Sequence, residues 1–383
     1  MLPDLYFDTN GSTPLHPRVL ETCQGLLADL YGNPSARHAE GLRARRAVDA
    51  ARTTIARAIG AAPEELWFTS GGTESNNWAL FGAAAASPRR HLIVSAIEHK
   101  SVLESARELE RRGYELELLP VDGAGSVRHS DLEPRLRPDT LLVSVMTTNN
   151  ETGVVQPVRE IAALCRARGV LFHTDAVSTL GKLPVDVRAL DCDLLSLASH
   201  KLYAPKGCGV LYVRKGVALA PLIHGCGQQN GMRAGTENLL AVAGFARALE
   251  LLERGELVSP QALAALRDEL WLAIRERFPA AQRNGSGSFL PNTLNVCFPG
   301  ADALEAQAAL CELGISVAVA SAAGGASPSH VLTAMGCDAR HALGSLRFSL
   351  GRSTTRESLR VLLDALAEVL PERPHERNPE TPR

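Results

Sequence analysis

Short apolar runs bounded by polar residues, Gly or Pro recur through the first part of the chain. They are LWFTS at 66–70, HLIVSA at 91–96, ELELLPV at 115–121, TLLVSVM at 140–146, VLFHTD at 170–175, LLSLAS at 194–199 and GVLYVR at 209–214. Each is of strand length and too short for a helix. Between several of them the apolar spacing changes to that of an amphipathic helix, as in SVLESARELERRG (101–113) and VREIAALCRARG (158–169). An Ala/Arg-rich stretch at 40–60 has the same spacing and ends near Gly60, after a polar lead-in. Strands alternating with helices predict an α/β fold with a mostly parallel seven-stranded sheet covered on both faces. Ligands of such sheets bind beyond the carboxyl ends of the strands.

From about residue 255 the pattern differs. PQALAALRDELWLAIRERF (260–278) reads as one amphipathic helix, LPNTLNVCF and SLRFSLG as strands, and SLRVLLDALAEVL (358–370) as a last helix. This predicts a large domain over 15–254, a smaller α+β domain built from 1–14 and 255–370, and a polar, Pro-rich flexible tail at 371–383. A length of 383 residues suits two domains.

Composition narrows the function classes. A net charge of −2 gives no electrostatic reason to expect nucleic acid or an anionic membrane. No apolar run reaches the ~20 residues of a membrane span. The start, MLPDLYFDTN, lacks the basic and apolar regions of a signal peptide. The eight cysteines include no CxxC pair, so neither a zinc framework nor a disulfide scaffold is expected, and the location expected is cytoplasmic.

Several segments carry candidate chemistry. FTSGGTESNN (68–77) is a strand, a Gly-rich turn and a helix start. Gly72 and Thr73 with the helix N–H groups suit a phosphate, and a capping box from Thr73 is the plainer alternative. Asp175 ends an apolar strand, where it is either a helix cap or the partner of a pyridinium nitrogen. Lys201 follows another strand within SHKLYAPKG, behind Ser199 and His200. A lone lysine is ordinarily a solvated charge, but at a strand end in this company it is a Schiff-base candidate. His99 in IEHKSV could stack on a flat cofactor, and Thr236 in RAGTEN could bind phosphate. Arg347, inside a strand pattern, needs an anion, for which a substrate carboxylate is suited. Together these match the parts list of a pyridoxal-phosphate enzyme.

The ordered set YGNPSARH, FTSGGTESNN, IEHKSV, NNETGVVQP, FHTDAV, SHKLYAPKG, GMRAGTEN, PSHVL and LRFSLGR resembles the cysteine desulfurase group of the class V aminotransferases, the NifS/IscS-like proteins, over roughly residues 5–370. The resemblance implies a pyridoxal-phosphate-dependent transferase of fold type I, a homodimer that acts on L-cysteine or a related small amino acid. It implies that Lys201 holds the cofactor, that His99 stacks on it and takes part in proton transfers, and that Asp175 pairs with its ring nitrogen. Gly72, Thr73, His200 and, from a second subunit, Thr236 would contact its phosphate. Ser178 stands where the family's ring-contacting glutamine is expected, and Ser199 lies beside Ala198, where a serine is expected. Asn33, Asn150 and Arg347 would hold the substrate carboxylate.

One departure bears on the reaction. Ser321-Ala322-Ala323 stands where the family has Ser-Ala-Cys, followed by a loop about two residues short. In the family's reaction that cysteine attacks the substrate sulfur, leaving a persulfide and alanine, and a methyl group cannot do so. Either the cysteine of a desulfurase has been exchanged, or the chain has diverged to another reaction, such as β-elimination at a C–S bond or transamination. Ser178, Ala198 and DTNGSTP (8–14) point to divergence of the scaffold. Cys226, where glycine is usual, is either a substitute sulfur acceptor or a small loop residue. A catalytically dead scaffold for a sulfur-acceptor protein is a further alternative, and retention of Lys201, Asp175, His99 and Arg347 together argues against it.

Overall fold

A computed structural model describes residues 5–319 and 327–370. Ala323 and the tail at 371–383 lie outside the described residues, as do residues 1–4.

All seven predicted strands form, as β1 (Leu66–Thr69), β2 (His91–Ser95), β3 (Glu115–Leu119), β4 (Thr140–Ser144), β5 (Leu171–Asp175), β6 (Leu194–Ala198) and β7 (Gly209–Val213). They make one sheet in the order β1-β7-β6-β5-β4-β2-β3. The run from β3 to β6 is parallel, and β7 is antiparallel to both β6 and β1. Strands β2, β4, β5, β6 and β7 are almost wholly buried, as expected of strands covered on both faces. One face packs beneath the helices Ala39–Ala58, Val158–Ala167 and Leu239–Glu253, whose apolar stripes join Phe172, Leu195, Leu197 and Val210 in one core. The other face is covered by Gly72–Ala85 and Lys100–Arg111, around Trp78, Leu80, Leu103 and Leu142.

A second sheet has the order β10-β11-β9-β8, from β8 (Gln282–Arg283), β9 (Thr293–Cys297), β10 (Ala318–Val319) and β11 (Ser345–Ser349). Its apolar cluster joins Leu294, Val296, Leu346 and Phe348 to the helices Pro260–Arg277, Ala303–Glu312 and Arg356–Val369. Phe7 belongs to this cluster, and Tyr6 and Asp8 bridge to Ser316 and Ser349. The chain start is therefore stitched to the late part of the sequence. The polar lead-in contains a helix, Pro17–Asp29, whose buried positions Val19 and Cys23 lie one turn apart on an otherwise exposed surface. No helix among the described residues is long and apolar enough to cross a membrane.

Candidate active site

Strand ends bring the candidate residues together. Asp175 is the last residue of β5, His99 follows β2, and Lys201 closes a short 3₁₀ turn, Ser199–Lys201, directly after β6. They line a cavity of about 300 Å³ together with Gly72, Thr73, Asn150, Ser178, His200 and Arg347. Asn10, Gly11, Asn76, Ser101, Met146 and Val177 complete its wall, and none of these six was expected from the sequence.

Helix Gly72–Ala85 starts at the cavity. Its N-cap is Gly71, with no side-chain cap, so the expected alternative of a capping box from Thr73 is not what forms. Thr69 Oγ1 instead meets Ser75 Oγ at 2.7 Å, and Glu74 accepts from Ser70 N at 2.8 Å. A Cβ on Gly72 would stand 2.8 Å from Val177 Cγ2, so only glycine lets the helix start approach the turn after β5 this closely. An uncapped helix N-terminus of fourteen residues opening into a cavity favours an anion there.

Asp175 is buried, with one donor on each oxygen. Its Oδ1 accepts from Val177 N at 2.9 Å and its Oδ2 from Asn76 Nδ2 at 2.7 Å. These two donors fix the carboxyl group in place at the end of β5.

The Lys201 ammonium donates to the backbone oxygens of Asn10 and, at 2.8 Å, Gly11. Burial and the nearby Arg347 guanidinium push its pKa down to about 8, against the opposing pull of Asp8 and Asp175. A substantial neutral fraction at physiological pH is what a nucleophilic lysine requires. The segment that receives Lys201 is the sequence's DTNGSTP. Thr13 N and Oγ1 both donate to His200 O, at 3.0 and 2.9 Å, and Tyr203 N donates to Thr13 Oγ1 at 2.7 Å. The only sequence signal for this was the polar, Gly-containing composition of residues 8–14, which does not say where such a segment docks.

His200 also lies in the wall, with Nδ1 3.3 Å from Ser12 Oγ. Burial and the surrounding lysines lower its pKa to about 4, so its ring is neutral. Arg347 is buried on β11. Its Nη2 pairs with Asp8 Oδ1 at 2.5 Å and its Nη1 donates to Asn150 O at 3.2 Å, while the buried Nε has no partner. A buried guanidinium in the cavity wall fits a carboxylate ligand. Uncapped helix start, strand-end acid, depressed lysine and buried guanidinium on one cavity wall together fit pyridoxal 5′-phosphate with an amino-acid substrate.

The remaining candidates lie apart from the cavity wall. Ser199 is buried, and its hydroxyl donates to the backbone oxygens of Pro205 and Cys208. Asn33 is exposed, its Oδ1 accepting from Ser35 N at 2.9 Å. Thr236 and Cys226 are exposed on the stretch between β7 and the helix Leu239–Glu253.

The profile of the aminotransferase class-V family matches residues 5–362. A cysteine desulfurase IscS of Dictyoglomus turgidum is 42% identical, over 97% of this chain and 95% of its own. A solved NifS-like protein superposes with a TM-score of 0.89 at 38% identity, over 95% of this chain and 98% of its own. The structure described as SspA in complex with cysteine superposes with a TM-score of 0.81 at 37% identity, over 91% and 99%. The uncapped helix, the Asp175 and Lys201 strand ends and the buried Arg347 are thus set on a frame shared along nearly its whole length, and the chain belongs to the aminotransferase class-V family, as a pyridoxal-phosphate-dependent enzyme of the cysteine desulfurase type.

Proposed function

We propose that this chain binds L-cysteine in the cavity and removes its Cα proton, and that transfer of the sulfur to residue 323 is the step it cannot perform. The observation that carries this reading is the convergence of Lys201, Asp175 and Arg347 on one cavity. Pyridoxal 5′-phosphate, when bound, supplies the electron sink for charge developing at Cα. Gly72, Thr73 and His200 would hold its phosphate, Asp175 its ring nitrogen, and Lys201 its aldehyde carbon. Arg347, with Asn150 beside it, orients the substrate carboxylate. Lys201 Nζ, as a free amine beside the bound substrate, would be the base for the Cα proton. The full-length likeness to desulfurases favours L-cysteine among small amino acids as the substrate.

Because the nucleophilic form of Lys201 is the free amine, cofactor capture is expected to quicken as pH rises and to reach half its plateau near pH 8. An ordinary lysine would place that midpoint near ~10.4. Stopped-flow absorbance of apo-protein mixed with pyridoxal 5′-phosphate, from about pH 6 to about pH 11, measures the midpoint.

At residue 323 the methyl group has no lone pair to offer sulfur. L-Cysteine and a protein thiol yield alanine and a persulfide, so restoring the thiol restores the balance of that equation. Ala323→Cys is expected to turn on alanine formation from L-cysteine, one alanine per sulfur delivered, in a parent that forms none. Pyruvate, ammonia and sulfide from the parent, unchanged by Ala323→Cys, would identify a C–S β-lyase instead.

We read the protein as a homodimer. Thr236 is exposed and outside the wall of its own cavity, so its contact with a phosphate requires a second copy. A sulfur-acceptor protein would supply the thiol that residue 323 lacks. All eight cysteines are free thiols, which supports a reducing, cytoplasmic setting.

A further inference from the structure

We propose that Ser101 and Asn76 are positioning residues that lock His99 as a neutral imidazole carrying its proton on Nε2, so that His99 works in the site as a hydrogen-bond donor and stacking ring and not as an imidazolium acid. This rests on the reading of the cavity as a pyridoxal-phosphate site and assigns roles inside it.

The geometry leaves little freedom. His99 is the N-cap of the helix Lys100–Arg111, and it caps with its ring: Ser101 N donates to His99 Nδ1 at 3.1 Å. A backbone N–H can only donate, so Nδ1 must present its lone pair, and the single proton of the neutral ring is on Nε2. Ser101 Oγ lies 2.7 Å from the same Nδ1. Ser101 Oγ in turn accepts from Asn76 Nδ2 at 2.8 Å, and with the Nδ1 lone pair fixed by Ser101 N its own hydrogen is the one that can point at the ring. The same Asn76 amide donates to Asp175 Oδ2 at 2.7 Å. One amide therefore orients both the acid that faces the ring nitrogen and, through Ser101, the histidine. Asn76 is 1% exposed, which fixes the amide in place.

Protonating Nδ1 would break the hydrogen bond from Ser101 N and set a cation against the positive end of a twelve-residue helix. The charged groups around the ring oppose one another. Lys201 and Lys100 disfavour the imidazolium, Asp175 favours it, and His330 is a further titratable neighbour. Burial is the largest of these effects, and with the two lysines it holds the His99 pKa below the ordinary histidine value. A neutral ring protonated at Nε2 cannot accept a proton on that atom, so removal of the Cα proton falls to Lys201.

The test is nitrogen-15 NMR of histidine-labelled protein without cofactor, with His99 assigned by comparison with His99→Gln. The expected result is an Nε2–H tautomer near neutral pH and a titration midpoint below about 6.5. In Ser101→Ala the midpoint is expected to rise by about 0.5–1 unit, the equivalent of one lost hydrogen bond. Ser101→Thr, which keeps the hydroxyl, is expected to restore it. A parent midpoint at or above the ordinary histidine value overturns the proposal, as does an Nδ1–H tautomer or a Ser101→Ala midpoint equal to the parent's. Cofactor absorbance of the same samples reports separately on the site. A chain that binds no pyridoxal 5′-phosphate defeats the functional reading while the His99 titration still decides this one.

Discussion

Lys201→Ala is expected to lower turnover of L-cysteine by at least about 10²–10⁴-fold, the span associated with a positioned proton-transfer group. Two losses combine in this variant. The amine that captures the cofactor disappears, and so does the base placed to take the Cα proton. The replacement should fold, because Lys201 closes an irregular turn and its ammonium bonds only the backbone oxygens of Asn10 and Gly11 in the described structure. The measurement is the absorbance of bound pyridoxal 5′-phosphate, followed by product quantification, on Lys201→Ala in the Ala323→Cys background, where alanine formation gives the signal. Retention of the cofactor's covalent spectrum in Lys201→Ala would assign its attachment to another amine. Lys182 is the alternative that such a result would implicate, since it is buried, with a pKa lowered to about 7 by burial and by Lys201 and Arg347.

The second large effect concerns substrate affinity. In the Ala323→Cys background, Arg347→Leu is expected to raise KM for L-cysteine by about 10–150-fold, the equivalent of the ~1.5–3 kcal/mol of a hydrogen bond to a charged group. The substrate carboxylate does not change charge during the reaction, so its clamp binds ground state and transition state alike. KM should therefore rise with kcat little altered. Arg347→Lys is the informative companion. It returns the charge but not the planar fork that spans Asp8, Asn150 and a ligand, so recovery should be partial. A loss confined to kcat would contradict the clamp and place Arg347 nearer the reacting atoms. Cofactor absorbance must persist in both variants, since neither changes Lys201, Asp175 or the helix start.

The cavity explains why some residues were legible in the sequence and others were not. Asp175, Lys201 and His99 each follow a strand-length apolar run, and in a parallel sheet the carboxyl ends of strands lie along one edge. The apolar pattern therefore predicts their convergence before any coordinate is known. Gly72 and Thr73 carry a similar mark, the glycine turn that opens a helix. Asn10 and Gly11 carry none. They reach Lys201 because Thr13 is bonded to His200 and Tyr203, which lie 187 and 190 positions away in sequence. Asn76 and Ser101 were hidden for a different reason. Both lie in the first turns of helices, where a polar residue is ordinarily a cap or a solvated surface group. Only the packing of two helix starts side by side turns them into a relay between Asp175 and His99. Arg347 stood out because a cation inside an apolar strand demands an anion. That part of the demand is met by Asp8, at the other end of the chain, could not be read from its surroundings.

The amino-acid sequence by itself determined the alternation of strands and helices, the residues at the strand ends and the identity of the side chain at position 323. These follow from local periodicity and residue chemistry, which are properties of short segments. Tertiary structure alone decided that the chain start closes the site from above Lys201, and that one asparagine amide serves both Asp175 and Ser101. It also decided the depressed proton affinity of Lys201, because that arises from burial and from a guanidinium brought in from 146 positions further along the chain. Electrostatic coupling and desolvation depend on distance in space, and the linear order of residues carries that distance only through the completed fold.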